Sequence, residues 1–96
     1  MDTLNQAIET LEVAKPELMA NYPIKRLAIF GSVSRKEDKA DSDIDILVEL
    51  EKPIGLKFIH LAYALESILK RKVDLVSLDG IKEKYFKEIQ SDLIYV

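Results

Sequence analysis

The stretch FGSVSRKEDKADSDIDILVEL, residues 30–50, decides the fold. Its second half, DIDILVEL (43–50), alternates between apolar and polar residues, a pattern typical of a β-strand. One face carries the aliphatic side chains of Ile44, Ile46, Val48 and Leu50. Asp43 and Asp45 open the other face, and burying carboxylates is costly unless a cation pairs with them. The two aspartates are therefore either a solvated loop end or part of a metal site.

Helical spacing of apolar residues predicts the element that precedes this stretch. Residues 4–14 repeat with the period of an amphipathic helix, and Thr3 with Gln6 forms a candidate capping box at its start. Proline removes a backbone donor and clashes with the preceding turn, so Pro16 predicts the end of, or a break in, this helix.

The remaining pattern predicts two further strands, three further helices and a short terminal strand. These are a strand at 26–30, a short helix from about Ser32, a helix at 56–69, a strand at 73–78, a helix at 81–89 capped by Asp79, and a strand at 92–96. This order predicts an α+β fold, with a small mixed β-sheet of three to four strands and helices packed on it.

Carboxylates on two of the predicted strands suggest a metal site. Residues two apart in a strand share a face, so Asp43 and Asp45 point the same way. Asp74 occupies the third strand and joins them if the two strands are neighbours. Carboxylate oxygens are the ligands that Mg²⁺ and Mn²⁺ prefer. We expect the three aspartates to bind one of these ions.

A glycine–serine turn follows the first predicted strand directly. Gly31 and Ser32 offer backbone N–H groups and a hydroxyl at the start of a short helix, which together can bind an anion. An anion site beside a carboxylate cluster indicates a nucleotide that is bound together with its metal ions.

Composition limits the classes of protein to which the chain can belong. With 96 residues we expect one domain spanning 1–96, and a net charge of −3 argues against an extensive nucleic-acid surface. The absence of cysteine excludes disulfides and fits a cytoplasmic location. No apolar run approaches the roughly 20 residues that span a bilayer, so no membrane segment is expected.

The spacing of GS, ten residues and DID resembles the signature of the DNA polymerase β-like nucleotidyltransferase superfamily. Within it, nearly the whole chain resembles the minimal nucleotidyltransferases, the MNT or MntA type found beside HEPN-domain proteins. The resemblance implies the polymerase β-like fold and assigns phosphate binding to Gly31 and Ser32. It assigns metal binding and catalysis to Asp43, Asp45 and Asp74.

The loop after the glycine–serine turn matches the family at one position and departs from it at the next. Arg35 lies where the family usually has an arginine, so it is either a triphosphate contact or one half of a surface salt bridge. The family usually has glycine at the following position, where this chain has Lys36.

The function that the resemblance implies is Mg²⁺-dependent transfer of a nucleotide from ATP or another nucleoside triphosphate. Two Mg²⁺ ions about 3.5–4 Å apart would bind the triphosphate. The acceptor would come from a partner or a second subunit, and the resemblance suggests a tyrosine of a HEPN ribonuclease toxin, with this chain as antitoxin. Two alternatives stay open: a non-catalytic antitoxin that masks a HEPN partner, and an antibiotic-type nucleotidyltransferase that acts on small molecules.

A partner needs a docking surface, which we expect to be partly apolar with aromatic anchors. The candidate anchors are Tyr63, Tyr85, Phe86 and Tyr95. His60 is expected on a helix surface, and Glu49 and Glu51 are expected to be solvated.

Overall fold

The computed structural model describes residues 2–96, and its elements follow the predicted order. They are α1 (Thr3–Asn21), β1 (Ile24–Phe30), α2 (Gly31–Ser34), β2 (Ile44–Leu50), α3 (Lys57–Leu69), β3 (Val73–Ser77), α4 (Glu83–Ile89) and β4 (Ile94–Tyr95). Two 3₁₀ turns, Leu78–Gly80 and Gln90–Asp92, flank α4.

One mixed sheet of four strands, in the order β3-β2-β1-β4, organises the fold. β1 pairs antiparallel with both β2 and β4, whereas β2 and β3 run parallel. A parallel pair needs a crossover connection, and α3 provides it. The predicted α+β architecture is confirmed, and β2, one of the two inner strands, begins within the DID segment.

Helices cover both faces of the sheet. The larger apolar cluster joins α1 and α3 to one face through side chains such as Leu11, Ile46 and Leu61. A smaller cluster on the other face joins Leu47 of β2 to Phe86 and Ile89 of α4. Because side chains alternate along a strand, Asp45 projects from the same face as Leu47, the face that α4 partly covers.

The predicted break at Pro16 is wrong. α1 continues through Pro16 to Asn21, and the proline itself is exposed. Leu11 and Leu18, on either side of it, are both buried in the same core. Their packing outweighs a penalty of about 3 kcal/mol for an interior proline.

Both predicted helix caps also differ from the structure. The N-cap of α1 is Asp2, whose Oδ1 accepts a hydrogen bond of 2.8 Å from the Asn5 backbone N–H, so Thr3 is already inside the helix. α4 begins after Lys82 without a side-chain cap, and Asp79 belongs to the preceding 3₁₀ turn. As an N-cap, an aspartate side chain accepts a hydrogen bond from the backbone N–H three residues ahead as readily as a threonine does. The spacing of the residues therefore did not distinguish a helix capped by Asp2 from one capped by Thr3.

No helix among residues 2–96 is long and apolar enough to cross a lipid bilayer.

Candidate active site

Two of the predicted aspartates are direct neighbours across the parallel strand pair. In the register of β2 and β3, Asp45 lies opposite Asp74. Asp45 is partly buried, while Asp74 is exposed. Asp43 immediately precedes β2 and is also exposed. The predicted condition, that the second and third strands be adjacent, is therefore met.

The carboxylates interact strongly enough to change the protonation of Asp45. Burial, followed by the negative charges of Asp74 and Asp43, raises the pKa of Asp45 from 3.8 to about 6. A protonated Asp45 also gains a side-chain hydrogen bond with Asp74, which favours the same form. The site thus concentrates negative charge that a cation would relieve.

Gly31 lies directly against this carboxylate. It follows β1 at once and has a φ of +74°, in the left-handed region that favours glycine. A Cβ atom at this position would lie 2.1 Å from Oδ2 of Asp45. Only glycine lets the backbone approach Asp45 this closely, so the turn that could bind phosphate touches the carboxylate pair.

The turn continues into a loop whose shape a lysine maintains. Ser32 is partly buried, its backbone carbonyl accepts a 2.8 Å hydrogen bond from the Glu37 N–H, and its hydroxyl makes no hydrogen bond with the rest of residues 2–96. Lys36 has a φ of +59° and donates its N–H to the Val33 carbonyl at 3.1 Å. Lys36 thus adopts the left-handed conformation that a glycine would adopt without strain.

Arg35 is part of an ion-pair network in the isolated chain. Its Nη1 donates to Oδ2 of Asp92 at 2.6 Å, and its Nε donates to Glu37 at 3.3 Å. These bonds, first that with Asp92 and then that with Glu37, raise the pKa of Arg35. Its positive charge also acts on Asp45, whose pKa it lowers in part. The salt bridge is therefore formed, and the guanidinium still lies close to the aspartates.

A second loop places Asp43 at the entrance of β2. The Ser42 hydroxyl accepts a 2.8 Å hydrogen bond from the Lys39 backbone N–H, as expected of a turn residue. The Arg71 guanidinium donates to the Ser42 carbonyl, which ties this loop to the segment before β3. The residue before Asp43 is therefore held both by its own loop and by the segment that precedes β3.

The donor set fits a magnesium ion that arrives with its substrate. No three histidine, cysteine, aspartate or glutamate side chains among residues 2–96 form a ready-made metal cage. Mg²⁺ is usually bound by one or two carboxylates together with water and substrate phosphates. The adjacent pair of Asp45 and Asp74 offers such carboxylates, and burial together with the negative charge of Asp74 raises the pKa of Asp45.

The aromatic candidates for docking lie in different places. Tyr85 of α4 is exposed, and partial burial followed by the negative charges of Asp45 and Asp74 raises the pKa of its hydroxyl. Phe86 is not a free anchor, since it packs on the core cluster around Leu47. Two others lie elsewhere: Tyr63 is exposed on α3, and Tyr95 on β4 stacks beneath Arg26 at 4.9 Å from its ring centre.

Two further predictions concern charged or polar surface residues. His60 is exposed on α3, as expected. Glu49 is less solvated than expected: its side chain is only 18% exposed and pairs with Arg26 at 2.6 Å and with Lys25 at 3.6 Å.

Sequence reasoning missed Asp92 and the place of Tyr85 beside the aspartates. Asp92 is far from Arg35 in sequence, and no local pattern connects them. The apolar spacing of Ile81, Tyr85 and Ile89 predicts α4 but not which sheet face the helix covers. Both residues depend on contacts between elements that are distant in sequence.

Comparison with known proteins agrees with this geometry. The family model of the nucleotidyltransferase domain matches residues 11–95. The protein adenylyltransferase MntA of Thermococcus cleftensis is 39% identical over 97 residues, which cover 100% of this chain and 98% of the relative. A solved structure provisionally described as a minimal nucleotidyltransferase is 33% identical, with a TM-score of 0.73 over 98% of this chain and 95% of the other. A chain of a toxin–antitoxin crystal structure with AMP-PNP is 26% identical, with a TM-score of 0.70 and coverage of 96% and 70%.

Proposed function

Because this chain belongs to the nucleotidyltransferase domain family, we propose that it transfers AMP from ATP to a tyrosine of a HEPN-type toxin and so acts as the antitoxin. The chain is a nucleotidyltransferase by family, and such enzymes generally use divalent metal ions. The observation that carries the proposal is the contact between Gly31 and Asp45, next to Asp74. This contact joins a turn able to bind phosphate to a carboxylate pair able to bind metal.

The three aspartates are the metal ligands in this proposal. Asp43, Asp45 and Asp74 would hold Mg²⁺, with two ions expected and Mn²⁺ as a substitute. The ions would supply charge neutralisation for the triphosphate and a lower pKa for the acceptor hydroxyl. This role is supported by the raised pKa of Asp45, since a nearby cation would favour its ionised form.

The chain's own residues bind and orient the substrates. The backbone N–H groups after Gly31 and the Ser32 hydroxyl donate to the terminal phosphates, and Arg35 adds a positive charge. Asp74, exposed at the edge of the pair, accepts the proton of the tyrosine hydroxyl. The hydroxyl oxygen bonds to the α-phosphorus, the bond from that phosphorus to the bridging oxygen breaks, and pyrophosphate leaves.

The identity of the acceptor rests on the relatives. The Thermococcus cleftensis relative is named a protein adenylyltransferase, and the similar crystal structure is that of a toxin–antitoxin pair with an ATP analogue. Tyr85, exposed beside the aspartates, is the aromatic residue best placed to contact an incoming protein. The use of ATP and the expected ribonuclease partner support the proposal that the reaction takes place in the cytoplasm.

Intact-mass spectrometry of the partner tests the proposal. The purified chain is incubated with a HEPN-type protein, Mg²⁺ and each of the four ribonucleoside triphosphates in turn. The partner should gain one or more AMP units with ATP, and Asp43→Ala should abolish the gain while the complex still forms. Asp41→Ala, an exposed aspartate in the same loop, is the matched control and should transfer normally. A stable complex without any mass gain would instead indicate an antitoxin that acts only by binding.

A further inference from the structure

The 3₁₀ turn Gln90–Asp92 is bonded to the short helix α2 by two consecutive residues. The Ser34 hydroxyl donates to the backbone carbonyl of Asp92, and Nη1 of Arg35 donates to Oδ2 of the same residue at 2.6 Å. The Asp92 side chain is only 16% exposed, whereas that of Arg35 is 47% exposed. Asp92 is therefore the fixed partner and Arg35 the side chain that it restrains.

This restraint matters because the elements that carry Arg35 are weak on their own. α2 has four residues, and a helix of that length is not stable without tertiary contacts. An arginine side chain also has considerable rotamer entropy, which it would retain at an unrestrained surface position. Binding a phosphate with such a side chain would require ordering it first.

The backbone keeps Arg35 next to the glycine–serine turn. Arg35 is the C-cap residue of α2, and its backbone N–H donates to the Gly31 carbonyl at 3.1 Å, so its side chain begins one helical turn from Gly31 and Ser32. A guanidinium has five N–H donors in one plane. The two recorded bonds to Asp92 and Glu37 use one hydrogen on Nη1 and the one on Nε. Three donors remain for a phosphate.

We propose that Asp92 is a positioning residue for nucleotide binding: by holding Nη1 of Arg35 it directs the remaining guanidinium donors toward the polyphosphate at Gly31 and Ser32. The C-terminal turn thereby takes part in recognising the triphosphate without touching it. This inference rests on the proposed function, in which Arg35 contacts the phosphates. It adds a residue that lies outside the glycine–serine and aspartate motifs.

Titration calorimetry with ATP and with AMP, both with Mg²⁺, tests the role of Asp92. Asp92→Ala should weaken ATP binding about tenfold, the effect of losing roughly 1.4 kcal/mol of a charge-assisted interaction, and AMP binding less than about twofold. Asp92→Asn keeps the shape and one acceptor oxygen, so an intermediate loss is expected. Asp79→Ala, exposed in the neighbouring 3₁₀ turn, is the matched control and should bind both nucleotides normally.

A double-mutant cycle with Arg35→Ala separates positioning from general support of the fold. In the Arg35→Ala background, Asp92→Ala should change ATP affinity less than about twofold, because its effect acts through the arginine.

Additive losses, or equal losses for ATP and AMP, would overturn the inference. Thermal unfolding of each variant confirms that it is folded. Tighter ATP binding by Asp92→Asn would also overturn it, since Asp92 would then compete with the phosphates. If Arg35→Ala binds ATP normally, Arg35 does not contact the phosphates and the inference is wrong. The proposed transfer of AMP is tested separately, by intact-mass spectrometry of the partner.

Discussion

Gly31 and Asp45 are in such close contact that a methyl group on the glycine would lie 2.1 Å from Oδ2 of the carboxylate. We expect Gly31→Ala to reduce transfer at least about a hundredfold, because either the turn or Asp45 must move, and misplacement by about 1 Å at a reacting centre costs that much. The free energy of unfolding should also fall, through the overlap and through the left-handed backbone. Activity assays and urea unfolding measure the two effects.

Gly55→Ala is the control for this substitution. Gly55 has a similar φ of +56°, but a Cβ atom there would meet nothing within 4 Å. It should therefore lose only the backbone contribution, about 1–2 kcal/mol, and keep full activity. Equal loss of stability in the two variants, with activity retained in both, would mean that the contact with Asp45 has no role.

Burial of Asp45, together with its repulsion by Asp74, predicts a pH-dependent gain of stability in Asp45→Asn. The pKa of Asp45 is raised to about 6 in the folded, metal-free protein, so the folded state binds the proton of Asp45 more tightly than the unfolded state does. The stabilisation that this proton provides is fully present below about pH 4. That contribution is lost as the pH rises through 6. The variant avoids this loss, and at pH 7.5 it should be more stable than the wild type by on the order of 1 kcal/mol.

Urea unfolding in the presence of a chelator, at about pH 4 and about pH 7.5, measures the difference. Asp41→Asn, in an exposed turn, should show no comparable change with pH. A gap between Asp45→Asn and the wild type that fails to widen at the higher pH would contradict the assignment of Asp45 as the strained carboxylate.

Divalent metal binding depends on the same carboxylates. The double variant Asp43→Asn with Asp45→Asn should lose Mg²⁺-dependent ATP binding and remain folded, because a neutral amide is a weaker ligand for a hard cation. Titration calorimetry with and without Mg²⁺ measures this. Unchanged binding in the double variant would place the metal elsewhere.

Ser32→Ala should discriminate between nucleotides by their phosphate number. Loss of a hydrogen bond to a charged phosphate should weaken triphosphate binding by roughly 1–3 kcal/mol, and monophosphate binding much less. The comparison is made by calorimetry with ATP and AMP, with Ser67→Ala on the exposed surface of α3 as control. Equal losses for the two nucleotides would show that Ser32 does not contact the polyphosphate.

Lys36→Gly should maintain the loop and modestly stabilise the protein. The left-handed backbone costs a lysine about 1–2 kcal/mol. Glycine avoids this strain but recovers only part of the free energy, because it loses more conformational freedom on folding. The variant also gives up the exposed ion pair between Lys36 and Asp2 at 3.3 Å, a small loss. Lys70→Gly, at the equally left-handed end of α3, should gain at least as much. Chemical denaturation of both variants measures the gains, and a destabilised Lys36→Gly would mean that the lysine has a structural role of its own.

The sequence predicts those parts of the site that depend on local pattern. Strand periodicity places Asp45 and Asp74 on strand faces, and the position of Gly31 directly after an apolar strand predicts the turn. Which strands are neighbours, and the parallel register that sets Asp45 opposite Asp74, came from the resemblance and the structure. Periodicity within one strand carries no information about its partners.

Two of the wrong predictions, those for Pro16 and Glu49, share one physical cause, which is packing between distant segments. Pro16 remains in α1 because Leu11 and Leu18 are buried on either side of it. Glu49 is half-buried because β1 brings Arg26 beside it. In each case a local propensity of a few kcal/mol or less is outweighed by tertiary contacts that no short window of sequence contains.

The parallel pairing of β2 with β3 also determines when the acidic site is assembled during folding. β1 and β2 pair antiparallel across the connection 31–43, whereas β3 reaches β2 across the longer crossover 51–72, which contains α3. Contacts that close long loops carry the larger entropic cost and tend to form late. The repulsion between Asp45 and Asp74 then arises after the folding transition state, on its native side. Neutralising that repulsion, by substitution or by a bound cation, slows unfolding and leaves the refolding rate nearly unchanged.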